Sequence, residues 1–170
     1  MARNVEIKAR VADRDDLERR ARAIATEGPV QIAQDDTFFR CESGRLKLRA
    51  LGPDRGELIF YRRPDAQGPK ESFYLRSSTS SPDTLRQSLA LAYGVSGRVR
   101  KQRTLYLAGR TRIHIDRVEG LGDFMELEVV LAEGEAVDAG VREARDVMAK
   151  LGIEATSLVE GAYVDLLAGA

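Results

Sequence analysis

The 170 residues carry 27 Lys and Arg against 27 Asp and Glu, so the formal net charge is zero. No global basic field exists to hold a nucleic acid, and nucleic-acid binding is not expected. Cys41 is the single cysteine, which excludes an intrachain disulfide and fits a reducing compartment.

The first residues, MARNVEIKARV, lack the apolar core of a signal peptide, and no run approaches ~20 apolar residues. The expectation is a cytoplasmic protein with no membrane span. The length suits one domain over residues 1–170 with a full hydrophobic core.

In chain order, period-two alternation predicts strands near 3–11, 35–41, 45–51, 56–63, 71–78, 98–108, 111–118 and 124–131. Ser43-Gly44, Gly52-Pro53, the Pro64–Pro69 segment and Gly109 supply the turns. A helix is predicted over 14–27, with Asp13 as its N-cap and Leu17, Ala21, Ile24 and Ala25 on one face. A second starts at Ser81-Pro82, with Pro82 suited to the first helical position and Gly94 as its end. A third runs over 137–151 and stops at Gly152. A fourth starts at Ser157, where Ser157 and Glu160 have capping-box spacing ahead of an apolar stripe that includes Tyr163.

The strands sort their side chains by parity. In NVEIKAR, Asn4, Glu6, Lys8 and Arg10 oppose Val5 and Ile7; in RLKLR, Arg45, Lys47 and Arg49 oppose Leu46 and Leu48. Arg62 closes the fourth strand, Tyr74 and Arg76 share a face in the fifth, and Lys101 and Arg103 do so in the sixth. In RIHIDRVEGLGDFMELEVVL, Arg112, His114 and Asp116 oppose Ile113 and Ile115, while Glu126 and Glu128 oppose Met125, Leu127 and Val129.

Amphipathic helices need an apolar surface to cover, so the charged faces should turn away from them. An α+β protein follows, an eight-stranded antiparallel barrel with a charged interior and helices packed outside. Buried charges must be paired or met by a ligand. Clustered cations ask for a polyanion, and carboxylates among them ask for a divalent ion with oxygen ligands. A triphosphate with Mg²⁺ or Mn²⁺ meets both demands.

The ordered blocks VEIKAR, GRLKLR, FYRRP, KQR, HIDRVEGLGDFMELEVV and YVDLL resemble the CYTH superfamily from about residue 3 to 167. That superfamily, also called the triphosphate tunnel metalloenzymes, includes class IV adenylyl cyclases, thiamine triphosphatases and inorganic triphosphatases. The resemblance implies a tunnel that takes ATP, tripolyphosphate or thiamine triphosphate. By motif, Glu6 and Lys8 fall in its N-terminal signature, Lys47 and Arg49 in its third-strand basic pair, and Arg62 and Arg103 at further basic positions. Asp116 matches the acid of the seventh strand, and Glu126 and Glu128 the paired acids of the eighth.

The expected catalytic set is Glu6, Lys8, Asp116, Glu126 and Glu128, with Glu6, Glu126, Glu128 and Asp116 as metal ligands. The expected triphosphate cradle is Lys8, Lys47, Arg49, Arg62 and Arg103, with Arg76, Lys101 and Arg112 as further candidates. His114 reads as a hydrogen-bonding wall residue in preference to a general acid or base.

Two departures stand out. Asn4 replaces the first acid of the signature, and no Lys lies in the tail SLVEGAYVDLLAGA, where triphosphatases of the family often place one. The tail and the strand seven–eight block look closer to the cyclase branch. Three alternatives stay open: a cyclase, a triphosphatase, and a polyphosphate or nucleotide sensor without turnover. A homodimer is compatible with such a barrel.

Overall fold

The structure, a computed structural model, describes residues 2–169. Eight strands form a closed antiparallel barrel: β1 (Ala2–Arg10), β2 (Glu27–Phe39), β3 (Arg45–Gly52), β4 (Arg55–Arg62), β5 (Lys70–Thr79), β6 (Val95–Ala108), β7 (Thr111–Val118) and β8 (Gly122–Val130). Around the barrel the order is β1-β5-β4-β3-β2-β6-β7-β8, and β1 pairs with both β5 and β8. Closure leaves no open edge and separates an inner face from an outer one.

The helices are α1 (Arg14–Ile24), α2 (Pro82–Tyr93), α3 (Val137–Lys150) and α4 (Tyr163–Ala168), with a 3₁₀ turn at Ala155–Ser157. No helix among the described residues is long and apolar enough to cross a membrane.

Helices α1 and α3 cover the outer faces of β1, β7 and β8. Val5, Ile7, Ile113, Ile115, Leu127 and Val129 are fully or almost fully buried there, together with Leu17, Ala21, Ala144, Val147 and Leu151. Each large aliphatic side chain buried this way contributes roughly 1.5–3 kcal/mol. The Asp13 side chain caps α1 by accepting from the Asp16 N–H at 3.0 Å. Gly140 lets α3 approach the sheet, since a Cβ there would stand 2.7 Å from Leu131 and 2.8 Å from Val5.

Three expectations are corrected. Helix α1 stops at Ile24, and β2 starts at Glu27, eight residues before the predicted strand. The stretch Glu27–Gln34 is largely exposed and has no apolar alternation, so only its pairing with β6 makes it a strand. The tail does not form one helix from Ser157. Leu158 bridges to Ala9 and the Val159 N–H donates to the Lys8 carbonyl, so residues 158–160 follow β1 without helix, and a bend at Gly161 leads into α4. The N-terminal bond of α4 comes from Asp165, which accepts from the Ala162 N–H at 2.9 Å, and Ser157–Glu160 caps nothing.

Helix α2 buries only Pro82, and its Leu91 and Tyr93 are exposed, so it covers the barrel less than its stripe predicted. Pro82 does occupy the start of the helix, but the Ser81 side chain makes no capping bond.

The C-terminal segment closes one end of the barrel. Ala162, Tyr163 and Val164 pack with Phe38, Val99, Val118 and Phe124 in a second apolar cluster. Arg45 pins α4 through a two-point ion pair with Asp165, at 2.9 and 2.6 Å.

Candidate functional site: a charged tunnel

Inward-pointing residues of all eight strands line one cavity of about 440 Å³, a size suited to a small-molecule ligand. Nine lysines and arginines face it: Lys8, Lys47, Arg49, Arg55, Arg63, Arg76, Lys101, Arg103 and Arg112. Five carboxylates stand among them: Glu6, Asp36, Glu57, Glu126 and Glu128. Ile32, Leu51, Leu105, Leu107 and Tyr74 add apolar wall, and Tyr163 reaches in from α4.

The lumen therefore collects ten of the twelve residues that the sequence assigned to the site. Arg62 and Asp116 are the two it leaves out. Arg62 is exposed on the outer face and donates to the Ser43 carbonyl at 2.7 Å. Its neighbour Arg63 turns inward and donates to Glu6. The run Leu58-Ile59-Phe60-Tyr61 shows no alternation, so strand parity cannot be read across it. Here Ile59 and Tyr61 line the tunnel, which puts Arg63 inside and Arg62 outside.

Asp116 is fully buried behind the tunnel wall. Its carboxylate accepts two bonds from Arg103 at 2.7 and 2.6 Å and one from the Tyr163 hydroxyl at 2.9 Å. Its hydrogen bonds run to Arg103 and Tyr163, and it does not line the cavity. It is a positioning residue that holds Arg103 toward the lumen.

Asp36, which the sequence reading passed over, plays the same part for the adjoining β2–β3 wall. It accepts from Lys47 at 2.8 Å and from Arg49 twice at 2.8 Å. Burial pushes the Asp36 carboxyl up, but Arg49 and Lys47 outweigh it and hold the group well below the usual carboxylate range. The β2–β3 register, which sets Asp36 opposite Arg49, was the missing information.

Tyr163 was read only as part of an apolar stripe. Lys8 and Lys101 lie over its ring, at 4.1 and 4.9 Å from the centroid. Lys8 also donates to the Gly161 carbonyl at 2.8 Å. The C-terminal segment is thus part of the tunnel wall.

Crowding shapes the charge states. Burial lowers Lys8 to about 8, with Glu126 opposing it. Burial and the adjacent Arg103 lower Lys101 to about 7. These ammonium groups are short of counter-charge in a desolvated space, which a polyanion would supply.

The carboxylates of β8 differ from Asp36 and Asp116. Glu126 and Glu128 face the cavity and accept no hydrogen bond from the described residues; their nearest arginines, Arg103 and Arg112, stand 3.6 Å away. Burial raises Glu126, but Lys8 and Arg103 prevail and hold it well below its ordinary value. Glu128 is raised by burial and by Glu6, its partner across the β1–β8 ladder. Neither carboxylate has a cationic group within hydrogen-bond distance.

His114 sits beside them on β7, opposite Glu126 in the register. Burial and Arg103 hold its pKa well below the ordinary value, so the imidazole is neutral. It does not act as the expected hydrogen-bonding wall residue, because Nδ1 is buried without a hydrogen-bond partner among the described residues. One ligand atom each from His114, Glu126 and Glu128 lie within 4.8 Å of one another. An orphaned nitrogen and two cavity-facing carboxylates fit a divalent ion.

The CYTH domain family model matches residues 2–163. A curated relative, adenylate cyclase CyaB of Aeromonas hydrophila, is 24% identical over 167 residues, covering 94% of this chain and 85% of the relative. Among solved structures, the PH1012 protein of Pyrococcus horikoshii superposes with a TM-score of 0.84 at 22% identity, over 96% of this chain and 99% of that one. HpAC1 from Hippeastrum superposes with a TM-score of 0.67 at 15% identity, over 98% and 95% of the two chains; a dominant triphosphatase activity is stated for it.

Proposed function

The chain belongs to the CYTH domain family, and from that premise we propose that it is a divalent-metal-dependent enzyme that converts ATP to cyclic AMP and pyrophosphate. The observation that carries this reading is the lumen itself, with nine cations and five carboxylates converging on one enclosed space.

Lys8, Lys47, Arg49, Arg63, Lys101 and Arg103 bind the phosphate chain and neutralise charge that develops on its oxygens during transfer. Asp36 and Asp116 hold the guanidinium groups of Arg49 and Arg103 in place, so little rearrangement is needed when the substrate enters. Glu126 and Glu128 would hold the divalent ion, which would offset the negative charge of the phosphate chain. In the cyclising step the ribose 3′-oxygen bonds to the α-phosphorus as its proton passes to solvent. The bond from that phosphorus to the bridging oxygen breaks, and pyrophosphate departs. Ile32, Leu51, Leu105, Leu107 and Tyr74 supply apolar surface for an organic moiety, which an inorganic triphosphate does not need.

A second reading is hydrolysis of the terminal phosphate, with water as nucleophile. The triphosphatase activity stated for HpAC1, which shares the fold, favours it. The phosphate cradle serves both reactions. Incubation with Mg²⁺ or Mn²⁺ and, in turn, ATP, tripolyphosphate and thiamine triphosphate separates them. Cyclic AMP with pyrophosphate supports the cyclase, orthophosphate alone supports the hydrolase, and no product from any of the three refutes both.

A further inference from the structure

The carboxylates in the tunnel and behind its wall differ in what they hold. Asp36, Asp116 and Glu6 are committed to Lys47, Arg49, Arg103 and Arg63 by direct charged hydrogen bonds. Asn4, the remaining inward polar group near the start of β1, is buried with Oδ1 unpartnered and carries no charge. Glu57 lines the same cavity from β4; the carboxylates without a direct hydrogen bond that stand within reach of His114 are Glu126 and Glu128, on β8.

His114 completes that wall from β7. Its side chain is only 6% exposed, and Nδ1 stands 3.9 Å from Glu128 Oε1. That separation is too long for a hydrogen bond. A buried ring nitrogen without a partner costs free energy unless something else meets it. Donors around one ion at roughly 2.1 Å stand no more than about 4.2 Å apart. Side-chain rotations of under about an ångström would draw the three groups from their present 4.8 Å spread onto a common centre.

We propose that His114 Nδ1 is a metal ligand, forming with Glu126 and Glu128 a mixed nitrogen–oxygen site that favours a first-row transition ion such as Mn²⁺ over Mg²⁺. The proposal rests on the tunnel reading above and assigns the ion to the β7–β8 wall, with Asp116 outside the site. Mg²⁺ prefers an all-oxygen shell, whereas imidazole suits borderline ions, so nitrogen ligation shifts the preference.

His114 is the only histidine in the chain, so in tag-free protein any imidazole coupling to a bound ion must come from it. The test is pulsed electron paramagnetic resonance of Mn²⁺ added to the protein, with and without a methylene-bridged triphosphate analogue. The expected result is ¹⁴N modulation from one imidazole, lost in His114→Gln. In that variant the Mn²⁺ titration weakens by about tenfold or more, and the Mg²⁺ titration by less.

Bound Mn²⁺ with no nitrogen coupling in wild-type protein overturns the proposal, whatever the variant does. So does a nitrogen signal that survives His114→Gln, or absence of bound Mn²⁺ under both conditions. Failure of the enzymatic reading is a separate result, because it shows as no product from any triphosphate while the spectroscopic outcome stands by itself.

Discussion

Arg103 and Asp116 face each other across the β6–β7 ladder and meet as a two-point ion pair at 2.7 and 2.6 Å, with the Tyr163 hydroxyl bonded to the same carboxylate. Burial works against both charges, yet Asp116 stays below its ordinary pKa and Arg103 well above its own, each held by the other. One inner wall, one outer ladder and the C-terminal helix are joined at this point. Replacing Asp116 by Asn keeps the shape and an acceptor for Tyr163 but leaves Arg103 as an uncompensated buried charge. The expected cost is about 3–5 kcal/mol of folding stability, read by chemical denaturation, together with loss of turnover. A variant of wild-type stability would show that the pair is not structural.

The two lysines over Tyr163 predict a proton linkage. In the free tunnel Lys101 titrates at about 7 and Lys8 at about 8. A bound triphosphate favours the ammonium form and raises both values, so the complex holds more protons than the free protein above pH about 7. Binding should take up protons in that window, and affinity should fall as the pH rises through it. Below about pH 6 both states are fully protonated at these lysines and this dependence levels off. Calorimetry of tripolyphosphate binding in two buffers of different ionisation enthalpy measures the proton count and its sign. Release of protons would contradict the assignment.

The adjacent arginines of β4 offer a parity test. Arg63→Ala should weaken tripolyphosphate binding by about tenfold or more, because it removes a charged contact and leaves Glu6 unneutralised against the substrate. Arg62→Ala should leave binding within about twofold, since its guanidinium lies outside the barrel. Equal losses from the two variants would mean that β4 presents a different face to the lumen.

Glu126→Gln and Glu128→Gln conserve volume and remove the charges assigned to the ion. Each should reduce metal-dependent product formation to below about one hundredth of wild type, while the thermal melt stays cooperative. Full activity in the double variant would remove the metal assignment.

Close packing of α3 on the barrel can be tested away from the tunnel. Gly140→Ala places a methyl group against Val5 and Leu131 at sub-contact distance. The expected destabilisation is about 1–3 kcal/mol, with tripolyphosphate affinity unchanged in the folded fraction.

The eight strands and the segregation of their charged side chains were legible in the sequence, because a strand's parity is a local property that alternation records directly. Where alternation lapses, legibility lapses too. The exposed first half of β2 carries no pattern, and the apolar run before Arg62-Arg63 hides which arginine turns inward. Composition and parity also called for a polyanion and a cation.

Only the tertiary structure decided which charges are already satisfied. Asp36 and Asp116 are spent on neighbouring arginines, Glu126 and Glu128 are not, and the His114 nitrogen is left without a partner. Pairing depends on cross-strand register and on the tail folding back over Asp116 from 47 residues away. Those distances arise only when the barrel closes, since alternation tells which face a side chain takes and not what stands across from it.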